Sequence, residues 1–129
     1  MISVKIFFIV FFLCLGQKIY CQNYIPVVSS SLKTSNLVLI YHYGIDSNRP
    51  TAKFRFKDGF EIILNAVCKG EYSWCIRVYE NSRVVELGSL KMDFDNNNKN
   101  VVIKTRIDKY GKYKKYLDLL PGRYKKTQQ

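Results

Sequence analysis

From Ala52 onward the sequence alternates with a period of two and then turns back on itself. Ala52, Phe54 and Phe56 fall on one side of an extended strand, and Lys53, Arg55 and Lys57 on the other, because successive strand side chains point to opposite faces. Asp58-Gly59 follows at once, and Phe60 to Val67 resumes the apolar pattern. Two strands joined by Asp-Gly predict a hairpin in which both turn residues tolerate positive φ. This is the strongest local constraint on the fold.

The rest of the chain reads in the same way. Leu37 to Tyr43 is a short run of Leu, Val, Ile and Tyr, which suits a strand buried on both faces. Polar turns flank it at Ser29 to Ser31 and at Gly44 to Pro50. Trp74 to Glu80 and Arg83 to Leu87 predict a second hairpin around Asn81-Ser82, with poorer turn chemistry. Asp95 to Asn100 is an Asn-rich loop. Val101, Ile103 and Ile107 then face one way, Lys104 and Arg106 the other. Beyond Asp108 the pattern is lost: Tyr110 to Leu120 suits a short helix, a last strand or an irregular segment, ended by Pro121-Gly122. Six to eight short strands at intervals of roughly 8–12 residues predict an all-β fold. The expectation is a small single-domain antiparallel β-sandwich or barrel, with a basic Tyr/Lys-rich C-terminal tail over 108–129 whose structure the pattern leaves open. An immunoglobulin arrangement is disfavoured, since Cys68 and Cys75 are too close in sequence to bridge distant strands.

The N-terminus carries a different signal. A basic start is followed by an unbroken apolar run, Ile6 to Leu15, too short for the ~20 residues of a membrane-spanning helix. This is the pattern of a secretory leader. Cleavage after Gly16 satisfies the small-residue rule. Cleavage after Cys21 removes Cys14 and Cys21 together and leaves the even pair Cys68 and Cys75. The expectation is therefore a signal peptide over 1–21 and one secreted, extracellular domain over 22–129. No transmembrane segment is expected in the mature chain, and no Asn-x-Ser/Thr sequon occurs.

Cys68 and Cys75 bracket Lys-Gly-Glu-Tyr-Ser-Trp. In a secreted protein such a pair predicts a structural disulfide, contributing roughly 2–3 kcal/mol by restricting the unfolded chain. Two thiols without nearby His are too few for a metal site. The pinned loop offers Tyr72 and Trp74 as contact residues, although a single tryptophan is more often a core residue. His42 is the only histidine. It lies in an apolar strand without the second partner that acid–base or nucleophilic catalysis requires. No Gly-rich phosphate loop and no metal cluster is present, so neither cofactor nor enzymatic activity is expected.

Charge is the more informative feature. The chain carries a formal +11, and loss of Lys5 and Lys18 with the leader lowers it to +9. Lys53, Arg55 and Lys57 share one strand face and Lys104 and Arg106 another, predicting a cationic platform if the two strands lie in one sheet. Lys112, Lys114, Lys115, Lys125 and Lys126 add to it, interleaved with Tyr110, Tyr113, Tyr116 and Tyr124. Basic groups with interleaved aromatics favour polyanions through salt-sensitive attraction and stacking. The leading expectation is a secreted binding protein for a sulfated glycan, an anionic cell surface or an acidic protein. The alternatives are a toxin-like effector that engages a receptor through the Cys68–Cys75 loop, and a small apolar-ligand carrier.

Overall fold

A computed structural model describes residues 21–27, 36–42, 51–66 and 70–127. Their strands are β1 (Cys21–Pro26), β2 (Leu37–His42), β3 (Thr51–Phe56), β4 (Glu61–Asn65), β5 (Trp74–Glu80), β6 (Arg83–Phe94), β7 (Asn100–Ile107) and β8 (Gly122–Lys126). Each pairs antiparallel with the next, and β8 returns to β1, so the sheet closes into an eight-stranded barrel. Closure leaves no unpaired sheet edge.

The barrel interior is filled by side chains, as eight strands allow. Tyr24, Leu39, Phe54, Ile62, Leu64, Ile76, Leu90, Ile103 and Tyr124 are essentially inaccessible. On β3 the expected alternation holds residue by residue, with Ala52, Phe54 and Phe56 buried. At one end the connection from β7 to β8 folds back as a plug. A 3-10 turn (Gly111–Tyr113) runs into a one-turn helix, α1 (Lys114–Leu117). Tyr113, Leu117 and Leu120 are buried there, and Phe60 stacks on Tyr113 and Tyr116 with centroids 5.6 and 4.2 Å away.

Both hairpins form, with their turn chemistry exchanged. At the β3–β4 turn only Gly59 adopts positive φ, at 95°. Asp58 instead accepts the Phe60 N–H at 2.9 Å and the Tyr116 hydroxyl at 2.7 Å, tying the turn to the plug. Asn81 and Ser82 are the two-residue positive-φ turn, at 48° and 66°. Strand β6 runs past Leu87 to Phe94, with a bulge where Ile76 pairs with Gly88 and Arg77 with Glu86. Of the alternatives open for the basic C-terminal segment, a short helix is found in the plug, and a last strand, β8, follows Pro121 and closes the barrel against β1 and β7. The expected turns at Ser29–Ser31 and Gly44–Pro50 lie outside the described residues.

Candidate functional site

The two basic strips do not form one platform. In the closed barrel β3 and β7 are four strands apart in either direction, hence on opposite sides. On β3, Lys53, Arg55 and Lys57 point outward as expected. The register sets Arg55 opposite Glu61 of β4, and that single carboxylate takes both Lys53 Nζ at 3.0 Å and Arg55 Nε at 2.9 Å. The Lys53 ammonium, then the Arg55 guanidinium, hold the Glu61 carboxyl below its ordinary pKa. Lys57, at the turn, is exposed and carries no ion pair among the described residues.

The other side of the barrel is more strongly cationic. Lys91 of β6 and Lys104 of β7 are cross-strand partners, and Arg106 is paired with Ser89. On β8, Arg123 lies beside Val102 and Lys125 beside Asn100. Lys91 is held by Glu71 at 2.7 Å and by Asp93 at 3.6 Å, and Glu71 in turn keeps the Lys91 ammonium above its ordinary pKa. Lys104, Arg106, Arg123 and Lys125 are exposed, and among the described residues none of them is in an ion pair. The wall formed by β7 and β8 therefore presents four cations outside any ion pair among the described residues, of which Lys104 and Arg106 lie within the electrostatic reach of Glu71. Lys91 joins this side unexpectedly, whereas Arg123 belongs to the basic cluster of the C-terminal segment. The alternation Leu90-Lys91-Met92-Asp93-Phe94 carries the signal that β6 continues, whereas Arg123 has only one apolar neighbour on its strand, Tyr124.

Tyr72 belongs to this side. The Arg106 guanidinium lies over its ring, 4.5 Å from the centroid, a cation–π contact that fixes the guanidinium plane. The two border a cleft of about 330 Å3 together with Glu71, Glu86 and Asp108. Trp74, by contrast, is not a loop-tip contact. It is the first residue of β5, only 7% exposed, and packs edge-on against Tyr41 inside the barrel. A strand residue facing inward has no route to a partner.

Lys112, Lys114 and Lys115 ride on the plug, all exposed. Their ammonium groups lie 5.5, 4.9 and 4.9 Å from the ring centroids of Tyr113, Tyr110 and Tyr116. Lys114 also pairs with Asp118 at 3.0 Å. Lys125 and Lys126 are strand residues of β8, and the Lys126 N–H donates to the Lys99 carbonyl at 2.7 Å.

Cys68 lies outside the described residues, so its pairing with Cys75 is not defined by these contacts. Cys75 is buried on β5 opposite Asn65. His42 is not enclosed by the apolar strand; it ends β2, exposed, with the Cys21 thiol 3.9 Å from Nε2. Among the described residues no third group is positioned against this thiol and imidazole, as a nucleophilic site requires. Among the described residues no group of His, Cys, Asp and Glu could hold a metal ion, and no helix is long and apolar enough to cross a membrane. Comparison with protein-family models, curated proteins and solved structures gives no match.

Proposed function

We propose that the protein is secreted and acts without catalysis, binding a polyanion through the outer face of β6, β7 and β8. One observation carries this reading: Lys104, Arg106, Arg123 and Lys125 stand exposed on adjacent strands, in no ion pair among the described residues. Cations fixed on a barrel wall lose little entropy on binding, and the spacing of strand residues suits phosphates or sulfates along a chain. The same reading includes removal of the leader up to Cys21 and a Cys68–Cys75 disulfide in the mature chain. Cys75 is the partner of Asn65 at the end of β4, three residues along the chain from Cys68, which favours the bridge. Intact mass before and after alkylation decides both points: the mature species begins at Gln22 and resists alkylation.

The alternatives have less support. A receptor-directed loop loses Trp74 to the core, and a carrier has to find room in an interior occupied by Phe54, Ile62, Leu64 and Tyr124. The test is retention on an immobilised sulfated glycan across a salt series. Lys104→Gln with Arg106→Gln and Arg123→Gln lowers the slope of log affinity against log salt by about 2–3, near one per lost contact. Lys53→Gln with Arg55→Gln lowers it less, by about 1 at most, because both cations are engaged with Glu61 and that carboxylate cancels one of their two charges. Equal losses from the two sets, or no retention at low salt, remove this reading.

A further inference from the structure

Six large apolar side chains remain exposed among the described residues, namely Ile25, Val27, Tyr79, Val84, Tyr110 and Leu119. Five of them gather at the plugged end of the barrel. Tyr79 and Val84 are cross-strand partners next to the Asn81-Ser82 turn, 65% and 53% exposed. Tyr110 and Leu119 flank the plug on its two sides, and Val27 follows the last residue of β1. The opposite end, among the described residues, carries the polar run Asp95 to Lys99 and the exposed Cys21 and His42. Single exposed apolar residues need no explanation, but clustering at one end of a barrel does.

Cations surround this cluster. Lys57, Arg83, Lys109, Lys112 and Lys115 are exposed at the same end. Of the four acids there, Asp118 is paired with Lys114; Asp58, hydrogen-bonded by the Tyr116 hydroxyl, Glu80, which faces Tyr113, and Asp108 keep their charge, and the five exposed cations outnumber these three. The ammonium groups of Lys112, Lys114 and Lys115 lie over the rings of Tyr113, Tyr110 and Tyr116, so cationic and aromatic groups share one exposed surface at this end. The barrel wall cannot itself enter lipid, since Arg55, Glu61, Arg77, Glu86 and Arg106 project from it.

We infer that the plugged end docks end-on to an anionic phospholipid surface, with Tyr79, Val84, Tyr110 and Leu119 entering the headgroup region and the surrounding lysines meeting lipid phosphates. Apolar insertion supplies residence and the cations supply selection for anionic headgroups, the division seen for interfacial segments generally. This surface is distinct from the glycan-binding strip proposed on β6, β7 and β8, so either can fail alone.

Sedimentation with lipid vesicles tests it, using the whole mature chain. Phosphatidylcholine vesicles containing phosphatidylserine carry the protein down, and pure phosphatidylcholine vesicles do not. The triple substitution Tyr79→Ser, Val84→Ser and Leu119→Ser lowers the partition coefficient at least ten-fold while retention on the sulfated glycan is unchanged. All three side chains are exposed, and an unchanged melting temperature verifies the fold. Lys104→Gln with Lys125→Gln weakens the glycan interaction and leaves vesicle binding within about two-fold, because both residues lie along the wall away from the plugged end. Absence of binding to anionic vesicles overturns the inference. So does equal binding to both vesicle types, or binding that the triple substitution does not change.

Discussion

Replacing Gly88 with alanine strikes the point where the barrel wall is tightest. Gly88 sits beside the bulge of β6, with φ at 155°. A Cβ added there would stand 2.3 Å from the Arg106 carbonyl oxygen, 2.9 Å from Ile107 Cα and 3.1 Å from Asp108 N. All three are backbone atoms, so no side chain can swing aside. Non-bonded carbon contacts are comfortable at about 3.5 Å or more, so β7 must retreat by roughly 1 Å and weaken its ladder to β6. Overpacking of this kind costs ~1–3 kcal/mol, and the left-handed backbone of a residue with a side chain adds ~1–3 kcal/mol. A loss of about 2–6 kcal/mol is a large share of the ~5–15 kcal/mol that holds a domain together. Thermal melting followed by circular dichroism should show a midpoint lower by about 10 °C or more. Gly59→Ala is the control: Gly59 has φ at 95° and nothing within 4 Å of the added carbon, so only strain of about 1 kcal/mol applies. The reasoning is refuted if Gly88→Ala melts within about 2 °C of the parent, or no lower than Gly59→Ala. A folded Gly88→Ala protein should also bind the sulfated glycan less well, because the strand that moves carries Arg106.

Two further expectations concern residues already described. Trp74 is the single tryptophan, so its fluorescence reports one environment: a blue-shifted emission, poorly quenched by iodide in the native protein and readily quenched in denaturant; strong native quenching would place it at the surface after all. Asp58, Glu61, Glu71 and Asp95 all have pKa values held below the ordinary range, by the Tyr116 hydroxyl, Lys53, Lys91 and the Asn100 side chain respectively. A depressed carboxyl pKa contributes stability that is complete above the unfolded value and is lost as pH falls through the folded one. The melting temperature should thus be nearly flat above about pH 5 and decline below the usual carboxylate range near 4, and Asp95→Asn should flatten part of that decline; a melting temperature indifferent between pH 6 and pH 2.5 contradicts the pairing.

What the sequence determines by itself is local and periodic. The alternation of Ala52 to Lys57 and of Val101 to Ile107 assigns every side chain of β3 and β7 to a face, because a strand has only two faces and a period of two. The two hairpins follow from short-range turn chemistry, even though Asn81-Ser82 rather than Asp58-Gly59 takes the paired positive-φ turn. What only the tertiary structure decides is which strands become neighbours. Ring closure sets β3 and β7 on opposite sides, so two cationic strips that look additive in the sequence cannot act on one ligand site. Register places Glu61 opposite Arg55, engaging two cations of one strip with a single carboxylate and leaving the other strip exposed. Strand β8 has only Tyr124 turned fully into the core, too little for a periodic signal. It is a strand because β1 and β7 offer it backbone partners, and hydrogen-bonding partners from distant parts of a chain leave no mark on local sequence. The plug arises in the same way: Tyr113, Tyr116 and Leu117 read as a basic, tyrosine-rich tail until Phe56, Asp58 and Phe60 meet them at the barrel mouth.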